Sequence, residues 1–336
     1  MSETTLRCYL VEKSASGDIT AQLTSQPLSK LGETGVLIRV HSSSLNYKDA
    51  MAATGHRGIV RTFPHVPGID AAGIVEVSDD PRFQPGDQVI ATGHELGVER
   101  WGAWASHVRV PGDWIVPLPS GLTLEESMIF GTAGFTAAQC VQALQLNSVD
   151  PSSGKILLTG ATGGVGILSL MILSGLGYEV VAVSGKPEEQ QRLKDLGASE
   201  VRGREFLVDV PDKPLLRTEF AGGIDTVGGS ALAAMCRMIQ HRGAVACCGM
   251  VAGSELNLTV FPFILRGLTL AGIDSAWCPD DERAEIWKKL ADEWKPENLA
   301  SIATTVPLSD IGQAVDAMLK GQHRGRTVVV PSTNTQ

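Results

Sequence analysis

The chain has 336 residues, 43% of them hydrophobic and 19% charged, with 37 glycines and a formal net charge of −9. That length exceeds what a single core usually organises, so two domains are expected. The acidic balance without Lys/Arg clusters argues against nucleic acid or an anionic membrane as partner, and no apolar run is long enough to span a bilayer.

The opening MSETTLRCYL lacks the charged-then-apolar pattern of a secretion signal. The six cysteines (Cys8, Cys140, Cys236, Cys247, Cys248, Cys278) form no C-x-x-C pair and no regular framework, which fits reduced thiols in a cytoplasmic protein. Segments 35–45, 71–77, 87–93 and 105–111 carry β-branched residues between Gly/Pro breaks, and Pro85-Gly86-Asp87 supplies a tight turn before the third. Short strands so punctuated predict a partly closed barrel or sandwich.

The pattern changes near Leu122. Leu124–Phe130 and Ala133–Leu144 read as helices, and then strands and helices alternate. Strand Lys155–Thr159, helix Val165–Leu176, strand Glu179–Ser184, helix Pro187–Leu196 and a short strand Glu200–Arg202 follow one another. The rhythm continues with strand Gly223–Val227, helix Ala231–Ile239 and strands Ala244–Cys248 and Leu268–Ile273. Such alternation predicts a parallel sheet covered on both faces. Helical patterns at 280–294 and 308–320 precede a closing apolar strand, Thr327–Val330. That strand is expected to pair with the N-terminal β region. The first domain would then be discontinuous, 1–125 with 275–336, around a second at 126–274.

The strongest local signal is KILLTGATGGVGILSLMIL. An apolar strand enters Gly160-Ala161-Thr162-Gly163-Gly164-Val165-Gly166 and leaves as an apolar helix, the setting that separates a dinucleotide fingerprint from a chance glycine cluster. Glycines let the backbone approach a pyrophosphate, and the helix N-terminus offers it unbonded N–H groups. The alternative is a tight strand–helix turn with no ligand. The next strand selects the dinucleotide. An NAD enzyme places Asp or Glu at its end for the ribose 2′-hydroxyl; here it ends Ser184-Gly185-Lys186, and no acid occurs until Glu188. A hydroxyl and a cation suit a 2′-phosphate, so NADP(H) is the expected cofactor. Arg202 and Arg204 follow the next strand and could reach the same anion, or could be solvated surface residues.

The segments SSLNYKDAMAATG (43–55), FPHVPGIDAAGIV (63–75), DPRFQPGD (80–87), GTAGFTAA (131–138), GATGGVG (160–166), AVSGK (182–186), FPFILRG (261–267), GIDSAWCP (272–279) and RGRT (324–327) occur in one order. Together they resemble the medium-chain dehydrogenase/reductase superfamily along essentially the whole chain. The match is closest to its quinone-oxidoreductase-like branch, which includes acryloyl-CoA reductase. The resemblance implies an α/β fold, with a GroES-like β-barrel catalytic domain plus a Rossmann doubly wound parallel-sheet domain. It implies cofactor contacts at Thr132, Ser275 and Arg326, although Thr132 reads equally well as a helix N-cap. It makes Lys48, Arg57 and Arg61 candidate coenzyme A phosphate contacts, which by sequence alone read as simply exposed cations, and it implies a homodimer through the edge strand Leu268–Ile273. Trp101, Trp104 and Trp277 are candidates to line the outer pocket, with core packing as their alternative.

Zinc-containing relatives differ from this chain where it matters. They carry a cysteine near the stretch where Asn46-Tyr47-Lys48-Asp49 stands, Gly-His-Glu where Gly68-Ile69-Asp70 stands, and a four-cysteine lobe in a region with no cysteine between Cys8 and Cys140. His94-Glu95 falls past the ligand position, and His41, His56, His65, His107, His241 and His323 show no ligand spacing. No metal is therefore expected. Without a Lewis acid, reduction of a conjugated double bond is easier to support than alcohol–aldehyde interconversion. Tyr47 is the candidate proton donor or oxyanion hydrogen bond, with a packed residue of no chemical role as its alternative. Asn46 could orient the nicotinamide ribose or the carbonyl; Asp70 could act as an acid or tether backbone, and Asp49 could structure the turn. The expected function is NADPH-dependent reduction of an α,β-unsaturated carbonyl, a short acyl-CoA such as acryloyl-CoA. NADPH:quinone oxidoreduction and NADPH binding without turnover stand beside it.

Overall fold

The computed structural model describes residues 5–331. The chain opens with strands β1 (Thr5–Lys13), β2 (Ile19–Pro27) and β3 (Val36–Ser44), helix α1 (Tyr47–Ala53), and strands β4 (Asp70–Val77), β5 (Gln88–Thr92), β6 (His107–Val110) and β7 (Ile115–Pro117). Helix α2 (Leu124–Leu146) leads to β8 (Ile156–Leu158), α3 (Gly164–Gly175), β9 (Val180–Val183), α4 (Gln190–Asp195) and β10 (Ala198–Arg202). Next come α5 (Glu205–Val208), β11 (Phe220–Asp225), α6 (Gly229–Met238), β12 (Ile239–Cys247), α7 (Phe261–Arg266) and β13 (Thr269–Gly272). Helix α8 (Asp280–Ala291), β14 (Ala303–Pro307), α9 (Ile311–Leu319) and β15 (Arg326–Val330) close the chain.

Two compact units result. The first runs to Thr132 and regains the chain at Ala276–Ala291 and from Asn298 onward; the second is Ala133–Ser275 with Asp292–Glu297. The backbone N–H and hydroxyl of Thr132, just past the break at Gly131 inside α2, both donate to Asp70 of the first unit.

In the first unit the sheet order is β14-β15-β3-β4-β5-β7, with β6 also paired to β3. Strand β15 lies antiparallel to β3 through Val328↔Ser44 and Val329↔Ser43, the expected return of the C-terminal strand. Among the described residues β14 and β7 have one sheet partner each, so the sheet is open at both ends. Val36, Ile38 and Val40 alternate inward on β3 and pack with Val75 and Val89. Each fully buried aliphatic of this size contributes about 1.5–3 kcal/mol. A separate hairpin, β1–β2, pairs from Thr5↔Pro27 to Lys13↔Ile19 and sets Leu6, Cys8 and Leu10 into a cluster with Trp104 and Ile311. Sequence patterning missed this hairpin because β2 is largely polar and only half buried.

The second unit holds six parallel strands in the order β10-β9-β8-β11-β12-β13. Counted from β8 this is 3-2-1-4-5-6, the doubly wound order, with the reversal between β8 and β11. All of β8 and β9 is buried, as strands covered on both faces must be. The helix expected from Pro187 begins only at Gln190, after a short 3₁₀ turn, and the strand expected from Ala244 starts earlier, at Ile239. No helix among the described residues is long and apolar enough to cross a membrane.

Candidate active site

The glycine turn is set by sterics. Beyond β8, Gly160 has φ +61°, a left-handed conformation that favours glycine. A Cβ on Gly166 would lie 2.2 Å from the Gly160 carbonyl oxygen, so only glycine lets α3 start this close to the strand. Gly163 caps α3, and the first bond of the helix runs from the Ile167 N–H to the Gly163 oxygen at 2.9 Å. The N–H groups of Gly164, Val165 and Gly166 precede that bond and face outward with the positive end of the helix dipole. Ala161 and Thr162 are buried within the turn. Across the winding reversal, Thr159 Oγ1 donates to Asp225 at 2.7 Å, and the Gly228 N–H donates to the same carboxylate at 2.6 Å. This staple between the ends of β8 and β11 was not legible in sequence, since Asp225 is one acid among 37. The turn is a cradle that fits a pyrophosphate.

At the end of β9, buried Ser184 accepts from the Lys186 N–H at 3.1 Å, which folds the Ser184-Gly185-Lys186 corner. Arg204 lies directly over it, and a Cβ on Gly185 would come 2.0 Å from Arg204 Nε. Lys186 and Arg204 thus flank one glycine without a carboxylate at the strand end, a fit for a 2′-phosphate. Arg202 is different. Its guanidinium is held by Glu200 at 2.6 Å and Glu219 at 2.5 Å and stacks over Phe206, so it is spent on structure rather than aimed at an anion.

In the first unit the stretch before and into α1 builds a buried polar network. Asp70 Oδ2 accepts from Ser44 Oγ (2.5 Å), Asn46 Nδ2 (2.8 Å) and the Thr132 N–H (2.9 Å), and Oδ1 accepts from Thr132 Oγ1 (2.6 Å). Asp49 Oδ2 accepts from the Asn46 N–H (2.8 Å) and Nδ2 (3.0 Å), while Oδ1 accepts from the N–H groups of Gly68 (3.1 Å) and Ile69 (2.8 Å). Burial and then the charge of Asp70 push the Asp49 carboxyl up to about 7, against the pull of its N–H donors. Arg326, 2% exposed, donates through Nε to the Ile129 oxygen (2.7 Å) and through Nη1 to the oxygens of Leu45 (3.2 Å) and the Asn46 side chain (3.3 Å). Gly131, at φ +50° and ψ −155°, breaks α2 here, because a Cβ would stand 2.4 Å from Asp70 Oδ2.

The chain is similar to known proteins. Residues 32–120 match the family model for the alcohol dehydrogenase GroES-like domain, and residues 164–292 match that for zinc-binding dehydrogenases. A Bacillus subtilis protein provisionally named quinone oxidoreductase YhfP is 45% identical over 97% of this chain and 99% of its own. Acrylyl-CoA reductase AcuI of Ruegeria pomeroyi is 41% identical over 94% of this chain and 95% of its own. The chain belongs to the medium-chain dehydrogenase/reductase superfamily. Among solved superfamily structures, the Salmonella enterica yhdH oxidoreductase in complex with NADP is 42% identical, with a TM-score of 0.93 over 97% of this chain and 99% of that one. The Bacillus yhfP protein, solved with NAD bound, gives a TM-score of 0.95 at 44% identity, over 97% of this chain and 99% of that one.

The second family model carries zinc in its name, yet the residues of this superfamily member do not fit that ion. Among the described residues no group of three or more His, Cys, Asp and Glu side chains is placed to hold a metal. Asp49 and Asp70 are wrapped by N–H and O–H donors, an environment made for carboxylates and not for a cation.

The remaining expected residues fall into place around this network or away from it. Tyr47 is the first residue of α1, 47% exposed, with its hydroxyl unpartnered among the described residues. The Asn46 amide is hydrogen-bonded to Ser44, Asp49, Asp70 and Arg326. Thr132 serves Asp70, and Arg326 is a buried strut of the first unit. Trp104 is fully buried and donates to the Ser44 oxygen at 3.0 Å, so it packs rather than lines a pocket. Trp101 donates to the Pro64 oxygen at 3.0 Å, and Trp277 stands 61% exposed, edge-on to His94. Ser275 is half buried just beyond β13, Lys48 is half buried on α1, and Arg57 and Arg61 are exposed after it. His94 stacks on Trp114, and burial followed by the nearby Arg283 drives its imidazole down to about 4. Cys247 and Cys248 are half buried, while burial pushes Cys236 up to about 12.

Proposed function

We propose that this chain is an NADPH-dependent reductase of the carbon–carbon double bond of an α,β-unsaturated thioester, a short acyl-CoA such as acryloyl-CoA. The observation that carries the reading is the buried Asn46–Asp49–Asp70–Arg326 network, which fixes α1 and leaves the Tyr47 hydroxyl exposed on its first turn. The Ruegeria relative named acrylyl-CoA reductase supports the substrate class.

Backbone N–H groups at the start of α3 and the glycine turn would hold the pyrophosphate of NADPH, and Lys186 with Arg204 its 2′-phosphate; once held there, the coenzyme would supply the hydride for the β-carbon. Where charge gathers on the carbonyl oxygen as an enolate, the Tyr47 O–H would donate to that oxygen or deliver the proton to the α-carbon. Asn46 and Asp49 hold the first turn of α1 and thereby the tyrosine. A kinetic panel of acryloyl-CoA, crotonyl-CoA, simple enones and benzoquinones tests this. A kcat/KM highest for the acyl-CoA supports it; one highest for quinones favours the reading suggested by the name of the Bacillus relative. NADPH binding with no oxidation by any acceptor would leave a binding protein. Tyr47→Phe should lower kcat about 10²-fold, with NADPH affinity kept; an unchanged kcat removes Tyr47 from the chemistry.

We further infer a homodimer. Among the described residues strand β13 has a single partner, β12, and Met250, Val251, Val260, Phe261, Ile264 and Leu265 are exposed in the segments leading to it. Pairing with a second β13 would cover both. A monomeric mass in sedimentation at working concentration would refute it. The cytoplasm suits a chain whose six cysteines are all unpaired, and fractionation outside that compartment would count against it.

A further inference from the structure

A second cavity lies in the first unit, away from the buried network. It measures about 440 Å³ and is lined by Lys13, Gly17, Ile19, Gly55, Arg57, Val60, Arg61 and Phe63. Its walls hold three cations and no carboxylate, in a chain with 37 acidic and 28 basic residues. Nor are these cations neutralised locally. Among the described residues Lys13 and Arg57 make no ion pair or side-chain hydrogen bond, and Arg61 has only a long 3.8 Å contact to Glu99.

The cavity is held by packed backbone. Lys13, Gly17 and Ile19 belong to the β1–β2 hairpin, whose β1 strand exchanges two hydrogen bonds between Val11 and His65 at 2.8 and 2.9 Å. Gly55, at φ +68°, ends the turn after α1 against the Ile19 side chain, where a Cβ would meet Ile19 Cδ1 at 2.7 Å. Ile19, Val60 and Phe63 give the space an apolar floor under a cationic rim. An apolar floor takes a flat heterocycle, and the rim takes phosphate.

Its position relates it to the candidate chemistry. Helix α1 carries Asn46 and Tyr47 at its N-terminal end, and the cavity lies past its C-terminal end. Seven helical residues separate the two by roughly 10 Å along the axis. One ligand with a reactive end and a phosphorylated, aromatic end on a flexible arm could occupy both. We propose that this cavity binds the phosphorylated adenosine end of a carrier-linked thioester substrate, with Lys13 and Arg57 as its phosphate contacts. The proposal rests on the acyl-CoA reading above.

The test has two arms. In the first, calorimetry with adenosine 3′,5′-bisphosphate, and with inorganic phosphate and adenosine at the same ionic strength, is run on the unaltered protein and on Lys13→Glu and Arg57→Glu. In the second, kcat/KM is measured for acryloyl-CoA and for acryloyl-N-acetylcysteamine, which lacks the nucleotide. Each substitution should weaken the bisphosphate about tenfold and lower the ratio of the two kcat/KM values about tenfold, as expected when one attraction near the surface becomes a repulsion. Both side chains are exposed, so the variants should fold, and their melting curves check this. Bisphosphate bound no better than inorganic phosphate, or a kinetic ratio unmoved in both variants, overturns the proposal. Should the protein reduce neither thioester, the functional reading fails while the calorimetric arm still decides the cavity.

Discussion

Removing the cations at the end of β9 should change which coenzyme is used, and the structure sets the size of the effect. Arg204 is exposed at the start of a four-residue helix and lies over Gly185, so Arg204→Ala removes a charge without opening a core. Lys186 follows the same glycine in sequence, after a strand that ends without a carboxylate. A charge-assisted contact to phosphate is worth about 1.5 kcal/mol at the lower end, or roughly tenfold. Each of Arg204→Ala and Lys186→Ala should therefore lower kcat/KM for NADPH about tenfold. The double variant should lose roughly a hundredfold, if the two contacts add as independent charges on one group. NADH carries a hydroxyl where NADPH carries the phosphate, so its kcat/KM should stay within about twofold. Raising the salt should shrink the NADPH advantage of the unaltered protein, since exposed charges are screened. Steady-state kinetics with both coenzymes reads all of this. Equal losses for NADPH and NADH, or no loss for NADPH, would refute the assignment of the corner to the 2′-phosphate.

Two further outcomes concern the buried network. Gly131→Ala forces a Cβ to within 2.4 Å of Asp70 Oδ2 and 3.0 Å of Arg326 Nη2 at a positive φ. It should cost about 3–5 kcal/mol by urea denaturation, the range for breaking a buried charged cluster; a loss under about 0.5 kcal/mol would show that the network yields freely. Asp49 should leave a signature in stability against pH. Its carboxyl is raised from 3.8 to about 7, so the folded chain holds this proton more tightly than the unfolded chain does. Its contribution is present in full below about pH 4 and is lost as pH rises to about 7, up to about 4 kcal/mol across that gap. Asp49→Asn should flatten this part of the curve, and two parallel curves would refute it.

The doubly wound unit was legible because its signals are local and steric. Gly160 and Gly166 stand where a Cβ would strike backbone, and the all-apolar β8 and β9 announce strands buried on both faces. The pairing of the C-terminal strand with the N-terminal β region was legible from Thr327–Val330, an apolar strand without a nearby partner in sequence. Long-range polar pairing was not legible. Nothing in RGRT says that Arg326 is buried with its Nη1 on the Leu45 and Asn46 oxygens, some 280 residues away in sequence. Likewise Arg202 looks as suitable as Arg204 until Glu200 and Glu219 are found closing on it. The polar strand β2 and the cavity at its hairpin needed the same three-dimensional information, since half-buried residues leave no clear period.

The buried network also narrows the choice of proton donor. Two carboxylates and one guanidinium taken out of water are costly, and an apolar cluster of the same volume would often be more stable. A cluster that forgoes that stability must return it in placement, and what it places is the first turn of α1. Asp49 itself is a poor donor to substrate even with its carboxyl near 7, because it is fully buried and its oxygens already accept four N–H bonds. Asp70 is enclosed in the same way by Ser44, Asn46 and Thr132. Neither carboxyl can reach a ligand without dismantling the turn that positions its neighbours. Of the groups on this turn, Tyr47 alone pairs an O–H donor with solvent access and no internal partner among the described residues, and on that ground we propose it, rather than either carboxyl, for proton delivery and enolate stabilisation.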